Sequence, residues 1–401
     1  MTPVKAKRRR VLKSLEEIGK GALIRAAGLV AGGTRLAAPP AWNARPYRVL
    51  YLRYDRIGDM ILATSLIRAI AQSHSTITLD VLASPANAVV LDGNPHVRTV
   101  IRWNKKEVSS WPRLVRRLRA ERYDVVIDPM ILKPSATSML LLVGSGAPIR
   151  VGVGGRTNDP LITLPVAPTG GPRSHHVDFS AALAAPFGID PTRTDWRPEI
   201  FLSPTEVDWA ERAWRDAAAA HRGVELRARR VLVNISAGRE QRMWPAERFA
   251  AVIAHIRRRG EGDVVLVVAT PADRQRAEEI AQRSGAVALT PGLREAFALT
   301  AAADLVITPD TSLSHAASAF AIPTVVLVRR GDEWLFAPYR TPGRTVASTE
   351  RHLGALDPEP VNRAVDSLLG ELASMRMQEE RVRSEGSRVA VPREGTKPPR
   401  S

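Results

Sequence analysis

The 401-residue sequence contains no cysteine. Disulfides, thiolate metal sites and a cysteine nucleophile are therefore excluded, and a reducing compartment is natural. Aromatic residues are scarce, at 5%, which argues against stacking platforms for single-stranded nucleic acid. Acidic residues are outnumbered, 41 Asp/Glu against 58 Lys/Arg, giving a net charge of +17. Such an excess invites a nucleic-acid reading, but it is unevenly placed. Residues 1–48 carry +9, residues 371–401 carry +2, and the long stretch 49–370 only +6. A partner that used the basic arm to hold nucleic acid would lose affinity steeply with salt.

The N-terminal segment lacks an apolar run long enough for a secretory signal or a bilayer span, because Arg25 and Arg35 interrupt it. Instead Val11, Leu15, Ile18 and Ala22 fall at helical spacing, with Lys13, Glu17 and Lys20 toward the other side. Such a basic amphipathic arm, residues 1–45, can lie on an anionic membrane surface. The plainer alternative is a disordered tail or a helix packed on the body. Residues 373–401, rich in Arg, Glu, Ser and Pro without apolar period, read as a disordered tail.

With 44% apolar residues a sizeable core can form, and the length suits two domains. The body alternates apolar strands with helical segments, the pattern of parallel α/β sheets. Strands are expected at 47–54, 76–84, 97–103, 123–129 and 149–155, with helices at 60–73, 110–122 and 135–146. This makes a first domain over 46–172. Residues 156–203 are richer in Pro, Gly, Thr and Asp, with one helical stretch at about 176–187. The interdomain crossover proper is set at 173–203. A second unit over 204–372 offers strands at 229–237 and 263–270 and helices at 245–260, 272–285 and 294–303. It ends in "ADLVITPDTSLSHAASAFAIPTVVLV".

In open α/β sheets, ligands bind beyond the carboxyl ends of the strands. The stretch just quoted places Asp310, Thr311, Ser312 and His315 there, before a helix of small residues whose first turn is a ready anion site. Thr311 or Ser312 can cap that helix. In the first unit, "YLRYDRIGDMILATSLIRAI" crowds Asp55, Arg56, Gly58 and Asp59 into the corresponding turn. Gly58 permits close approach of a ligand. Asp59 stands where a helix cap would stand, or where a carboxylate can serve as general base.

These segments resemble glycosyltransferase family 9, the group containing the ADP-heptose:lipopolysaccharide heptosyltransferases. The family's strand, basic residue and Gly-Asp loop correspond to Arg53–Asp59. Its late Asp-Thr-(Ser/Gly)-Leu-x-His motif is present from Asp310 to His315. A basic residue two before Trp-Pro appears as Arg242 before Trp244-Pro245. The resemblance covers residues 47–370 in order. It implies the GT-B fold, in which two Rossmann-like domains face each other across a cleft, the second holding the sugar nucleotide. It also implies an inverting transfer of a heptose or related sugar from an ADP-sugar to a lipopolysaccharide-core or other lipid-linked glycan. The location implied is cytoplasmic, peripheral on the inner face of the membrane. No cofactor or metal is expected.

Carried over residue by residue, Asp59 resembles the catalytic base. Arg242, Thr311, Ser312, Leu313 and His315 resemble the donor-phosphate site, and Asp310 the residue near the donor sugar. Asp273, Pro291, Gly292 and Leu293 resemble the nucleoside pocket, and Arg53, Arg56 and Gly58 the acceptor-side loop. The departures are Arg242 in place of the commoner Lys, and the N-terminal arm.

Weaker signals remain. "RSHHVDF" gathers His175, His176 and Asp178 but lacks a third ligand at metal-site spacing, so a polar linker is expected. "VGVGG" lacks the context of a dinucleotide fingerprint. The basic helix 113–122 reads as a solvated face, and Lys133 and Arg150 are candidates for meeting an anionic acceptor. Alternatives to the transferase are a GT-B-shaped protein that binds glycan or nucleotide without catalysis, and, within the enzyme class, a UDP-sugar donor.

Overall fold

The computed structural model describes residues 34–130, 135–156, 158–220, 228–259 and 263–388. The amphipathic helix expected within residues 1–33, Lys133, and tail residues 389–401 lie outside the described residues. The first domain runs β1 (Tyr47–Arg53), α1 (Ile57–Ser73), β2 (Ile77–Ala83), β3 (Thr99–Arg102), α2 (Trp111–Ala120), β4 (Val125–Ile127), α3 (Ala136–Gly144), β5 (Ile149–Val153) and β6 (Leu164–Val166). A short helix, α4 (His176–Ala181), lies in the crossover. The second domain runs α5 (Pro204–Ala220), β7 (Arg230–Asn234), α6 (Ala246–Arg259), β8 (Val264–Val268), α7 (Arg274–Ser284), β9 (Val287–Leu289), α8 (Leu293–Ala301), β10 (Leu305–Pro309), α9 (Ser312–Ala319), β11 (Thr324–Val328), β12 (Gly343–Ala347) and α10 (Pro358–Arg388).

Each domain is a six-stranded parallel sheet. The orders are β3-β2-β1-β4-β5-β6 and β12-β11-β10-β7-β8-β9. Counted from each domain's first strand, both are the doubly wound order 3-2-1-4-5-6. The strands read as unbroken apolar runs because both faces of such a sheet are covered. In β1, Val49 and Tyr51 enter one core while Leu50 and Leu52 enter another on the opposite face. The second sheet divides likewise, Leu232 and Val306 to one side, Val231, Val233 and Ile307 to the other. Each such fully buried side chain contributes about 1.5–3 kcal/mol.

One core spans both domains. It joins the inner face of the first sheet, through α1 and α9, to the inner face of the second. Met60, Ile61, Leu62, Leu66 and Ile67 are all buried, so α1 is apolar on most of its circumference. On the other side Ala316 and Ala317 of α9 are fully buried, and their small side chains let the two helices approach closely.

Helix α5 and strands β9 and β12 fall where the sequence expectation places no element, and three further segments differ from it. Residues 34–45, assigned to the arm, are tied to the first domain: Trp42 is buried, stacks on Phe187 with ring centroids 4.7 Å apart, and donates from Nε1 to the Pro186 carbonyl at 2.7 Å. Within the Pro/Gly-rich stretch after Arg156, three residues form the edge strand β6, too short to show a period. Residues 373–388, read as disordered from composition, continue α10 to Arg388. Once Val361, Val365 and Leu368 anchor its first turns in the core, extending a helix adds a hydrogen bond for each residue fixed.

Candidate functional site

The carboxyl ends of the two sheets face one another. On the second-domain side, β10 ends at Pro309, and Asp310 and Thr311 form the turn into α9. Thr311 is the helix cap, its hydroxyl accepting from the Leu313 amide at 3.3 Å. That hydroxyl also meets Asn234 Nδ2 at 3.1 Å and Thr308 at 3.1 Å, so β7, β10 and α9 are locked together beneath the loop. Arg242 leaves the turn Glu240–Arg242 after β7. Its guanidinium pairs with the Asp310 carboxylate at 2.9 Å and donates to the Asp310 carbonyl at 3.1 Å.

Beyond this pair, Asp332 lies 4.0 Å from Arg242 and 2.6 Å from Arg329. The four residues alternate in charge. Arg242 Nε is buried and has no hydrogen-bond partner among the described residues. Burial pushes the Asp310 carboxyl up to about 6, against the pull of Arg242 and with the help of Asp332 and Asp59. His315 Nε2 stands 3.9 Å from Asp310 Oδ1. Burial lowers this imidazole to about 3, with His175, His176 and Arg242 adding to the effect, so it is neutral at physiological pH.

On the first-domain side, the turn after β1 is organised by Arg53. Its side chain is buried, at 3% exposure. Nε donates to the Asp59 carbonyl at 3.1 Å and stands 3.4 Å from the Asp55 carboxylate, and the fork reaches the Asp59 carboxylate at 3.6 Å. Desolvation works against the Arg53 charge, but Asp55 and Asp59 hold it above the usual guanidinium range. Asp55 is itself raised, by burial first, with Arg53 opposing and Asp59 adding. Among the three charges, only Asp59 extends into the first turn of α1. The cap position belongs to Arg56, with no side-chain capping bond. Asp59 is therefore not a helix cap, and its carboxylate stands at the positive end of the helix.

At the cleft the two halves meet at Gly58. A Cβ built on Gly58 would stand 2.6 Å from Cδ2 of His315. The close approach that Gly58 permits is thus between domains. A second bridge lies at Arg294 of α8, which pairs with Glu206 at 2.7 Å and donates to the carbonyl of Val89 in the first domain at 3.2 Å.

Several sequence-derived residues have settled structural roles. Arg53 positions Asp59 and is too buried and too fully paired to serve as a surface ligand. Arg56 is exposed at the helix start. Asp273 lies just beyond β8, but its Oδ2 already accepts from Ser236 and from Thr270, the latter at 3.0 Å. Gly292 caps α8, its amide donating to Glu295 at 2.7 Å, with Pro291 before it and Leu293 in the interdomain core. Leu313 is buried and Ser312 opens α9. Arg150 is not an acceptor ligand: it is 5% exposed and its Nε donates to the Leu161 carbonyl at 2.5 Å.

The "RSHHVDF" segment is not a solvated linker. His175 and His176 are both buried, because the segment crosses the interface and packs on the loop after β11. No group of three His, Asp or Glu among the described residues can hold a metal ion. Asp332, Arg329 and Phe336 were missed. The rule that found Asp310 would have found Asp332, which also follows the carboxyl end of a strand.

A family model for glycosyltransferase family 9 (heptosyltransferase) matches residues 111–360. The lipopolysaccharide core heptosyltransferase OpsX of Haemophilus influenzae is 21% identical over 334 residues, covering 78% of this chain and 88% of that protein. The crystal structure of a family 9 glycosyl transferase from Veillonella parvula superposes with a TM-score of 0.69 at 19% identity, covering 83% of this chain and 99% of that one. The E. coli heptosyltransferase WaaC with ADP-2-deoxy-2-fluoro heptose gives 0.62 at 17% identity, covering 80% and 99%. The two facing doubly wound domains are the expected GT-B arrangement. The family match spans more than half of the chain, including the Arg242 and Asp310–His315 loops, and the chain belongs to glycosyltransferase family 9, the heptosyltransferase family.

Proposed function

We propose that this glycosyltransferase moves a heptose, or a closely related sugar, from an ADP-sugar to a lipopolysaccharide-core acceptor, with inversion at the anomeric carbon. The observation that carries the reading is the meeting of Asp59 from one domain with the Arg242–Asp310–His315 group of the other across a single cleft, in contact at Gly58 and His315. The donor and acceptor classes are supported by the bound ligand of the WaaC structure and by the name of the Haemophilus relative.

In this reading the acceptor hydroxyl attacks the anomeric carbon as the bond to the β-phosphate oxygen breaks. The new bond forms on the face opposite the leaving group, and Asp59 takes the hydroxyl proton. The departing ADP gathers negative charge, so donors aimed at it stabilise the transition state more than the ground state. Arg242 and the first-turn amides of α9 supply that counter-charge without a metal. Asp310 orients the guanidinium and faces the sugar. Pro291, Gly292 and Leu293, at the carboxyl end of β9, line the adenine side, with Asp273 toward the ribose.

A non-catalytic glycan binder has no use for a buried arginine whose bonds hold a carboxylate at the cleft. The discriminating experiment incubates the protein with heptosyl-deficient core acceptor and ADP-, UDP- or GDP-linked sugars and weighs the product. Heptose transfer from ADP-heptose alone supports the reading; transfer from a UDP-sugar, or from none, contradicts it. No helix among the described residues is long and apolar enough to cross a membrane. Contact with the inner membrane surface is assigned to the basic arm, residues 1–33, whose removal would release the protein from anionic vesicles while sparing activity on a soluble acceptor.

A further inference from the structure

The crossover histidine His176 has no place in the transferase reading above, yet it stands between the two halves of the site. Its backbone amide donates to the Leu335 carbonyl of the second domain at 3.1 Å. Its ring lies nearly parallel to that of Phe336, at 20° and 6.2 Å between centroids. Phe336 also flanks His315 at 5.9 Å and carries the Arg242 guanidinium at 5.9 Å. On the other side, Arg53 and Asp55 lie close enough to act on the His176 charge.

The neighbours of His176 are tied into the fold through some of their polar atoms. His175 Nδ1 accepts from the Val177 amide at 3.1 Å, and its ring stacks on Tyr339 at 4.5 Å. Asp178 accepts from the Tyr339 hydroxyl at 2.8 Å. His175 Nε2 is left buried without a hydrogen-bond partner among the described residues, and so is Nδ1 of His176, which is 7% exposed and whose ring faces Phe336. A buried polar atom of this kind calls for an explanation, and an absent ligand is one. The Leu335 carbonyl holds the His176 backbone, and Phe336 flanks its ring.

We propose that His176 is a further binding residue for the transferred sugar, its Nδ1 hydrogen-bonding one hydroxyl of the sugar between the Asp59 and Asp310 sides of the cleft. The inference rests on the ADP-sugar reading given above. The chemistry selects a hydroxyl over a phosphate. Burial, with the Arg53 and His175 charges, holds this imidazole down to about 3, so at neutral pH it is uncharged, with one donor and one acceptor nitrogen. A neutral ring adds no counter-charge for a phosphate, whereas a hydroxyl, both donor and acceptor, suits either nitrogen. Phe336 is the positioning residue that keeps the ring in place.

The test compares ADP with ADP-heptose, which share everything except the sugar. His176→Phe keeps a ring against Phe336 and removes both nitrogens. Its affinity for ADP-heptose, measured by calorimetry, is expected to fall about tenfold, the upper value for one lost hydrogen bond, while ADP affinity stays within about twofold. His176→Asn restores a hydrogen-bonding group and recovers most of the loss. His176→Leu, read the same way, replaces the phenylalanine variant if that variant does not fold. Equal ADP-heptose binding by variant and wild type overturns the proposal, and so does an equal loss of ADP and ADP-heptose. Wild-type protein that binds no ADP-sugar overturns the donor reading itself.

Discussion

Gly58 and His315, from opposite domains, are packed so closely that a methyl group on Gly58 would stand 2.6 Å from the imidazole Cδ2. His315 is buried and cannot swing freely aside. In a first helical turn, glycine to alanine ordinarily gains up to about 1 kcal/mol. Here Gly58→Ala is expected to lower stability by about 1–3 kcal/mol through overpacking. In the double variant with His315→Ala the cost should shrink, a coupling above about 0.5 kcal/mol in a double-mutant cycle. Strictly additive costs would show that the two domains do not meet there in solution.

Arg53 should behave as a buried keystone rather than as a substrate ligand. Arg53→Met leaves Asp55 and Asp59 together without their cation. Breaking a buried pair costs about 3–5 kcal/mol, and the urea midpoint should fall accordingly. Arg53→Lys returns the charge without the fork and should recover only part. An Arg53→Met protein of wild-type stability that had lost only acceptor affinity would return Arg53 to a binding role.

Much of this was legible in the sequence, for physical reasons that also explain the rest. Continuous β-branched and apolar runs such as those of β1 and β10 can only be doubly covered strands, so both sheets were visible. Strands β6 and β9, three residues each, carry no period and were invisible, and β12 was missed as well; the equally short β4 showed only through the longer run 123–129. Asp310, Arg242 and Asp59 were legible through their motifs. Asp59's freedom from capping was not, because whether α1 starts at Ile57 or three residues later depends on backbone angles. His176 and Phe336 owe their position to a contact between segments roughly 160 residues apart, and no local spacing encodes it.

Asp310 should set the acidic limb of the transfer reaction. Its carboxyl is raised to about 6 by burial, so it becomes charged only above that pH. Between its unperturbed value of 3.8 and about 6 the folded state holds the extra proton. This group's contribution to stability therefore declines as pH rises through that window and is constant above it. If ionised Asp310 is needed to orient Arg242, the rate should fall below pH about 6. Arg242 lowers Asp310, so Arg242→Gln should move the limb to higher pH while weakening ADP-sugar binding and slowing turnover. Asp128 is also raised to about 6 by burial, and Asp128→Asn should leave the limb in place. A limb that moves with Asp128 instead would assign it to the wrong carboxylate here.

The most direct measurement of the central claim, that Asp59 is the base of a glycosyl transfer, is the turnover of Asp59→Asn beside its donor affinity. The substitution keeps the shape of the side chain and removes the proton acceptor. Arg56, not Asp59, holds the cap position, so no capping bond is lost. The account predicts turnover reduced by about 10²–10⁴-fold, with ADP-sugar affinity unchanged within about twofold, because the donor residues sit on the other domain. Retained turnover in a folded Asp59→Asn protein would contradict it, and would leave Asp55, Asp128 or Asp310 as the carboxylate that takes the proton.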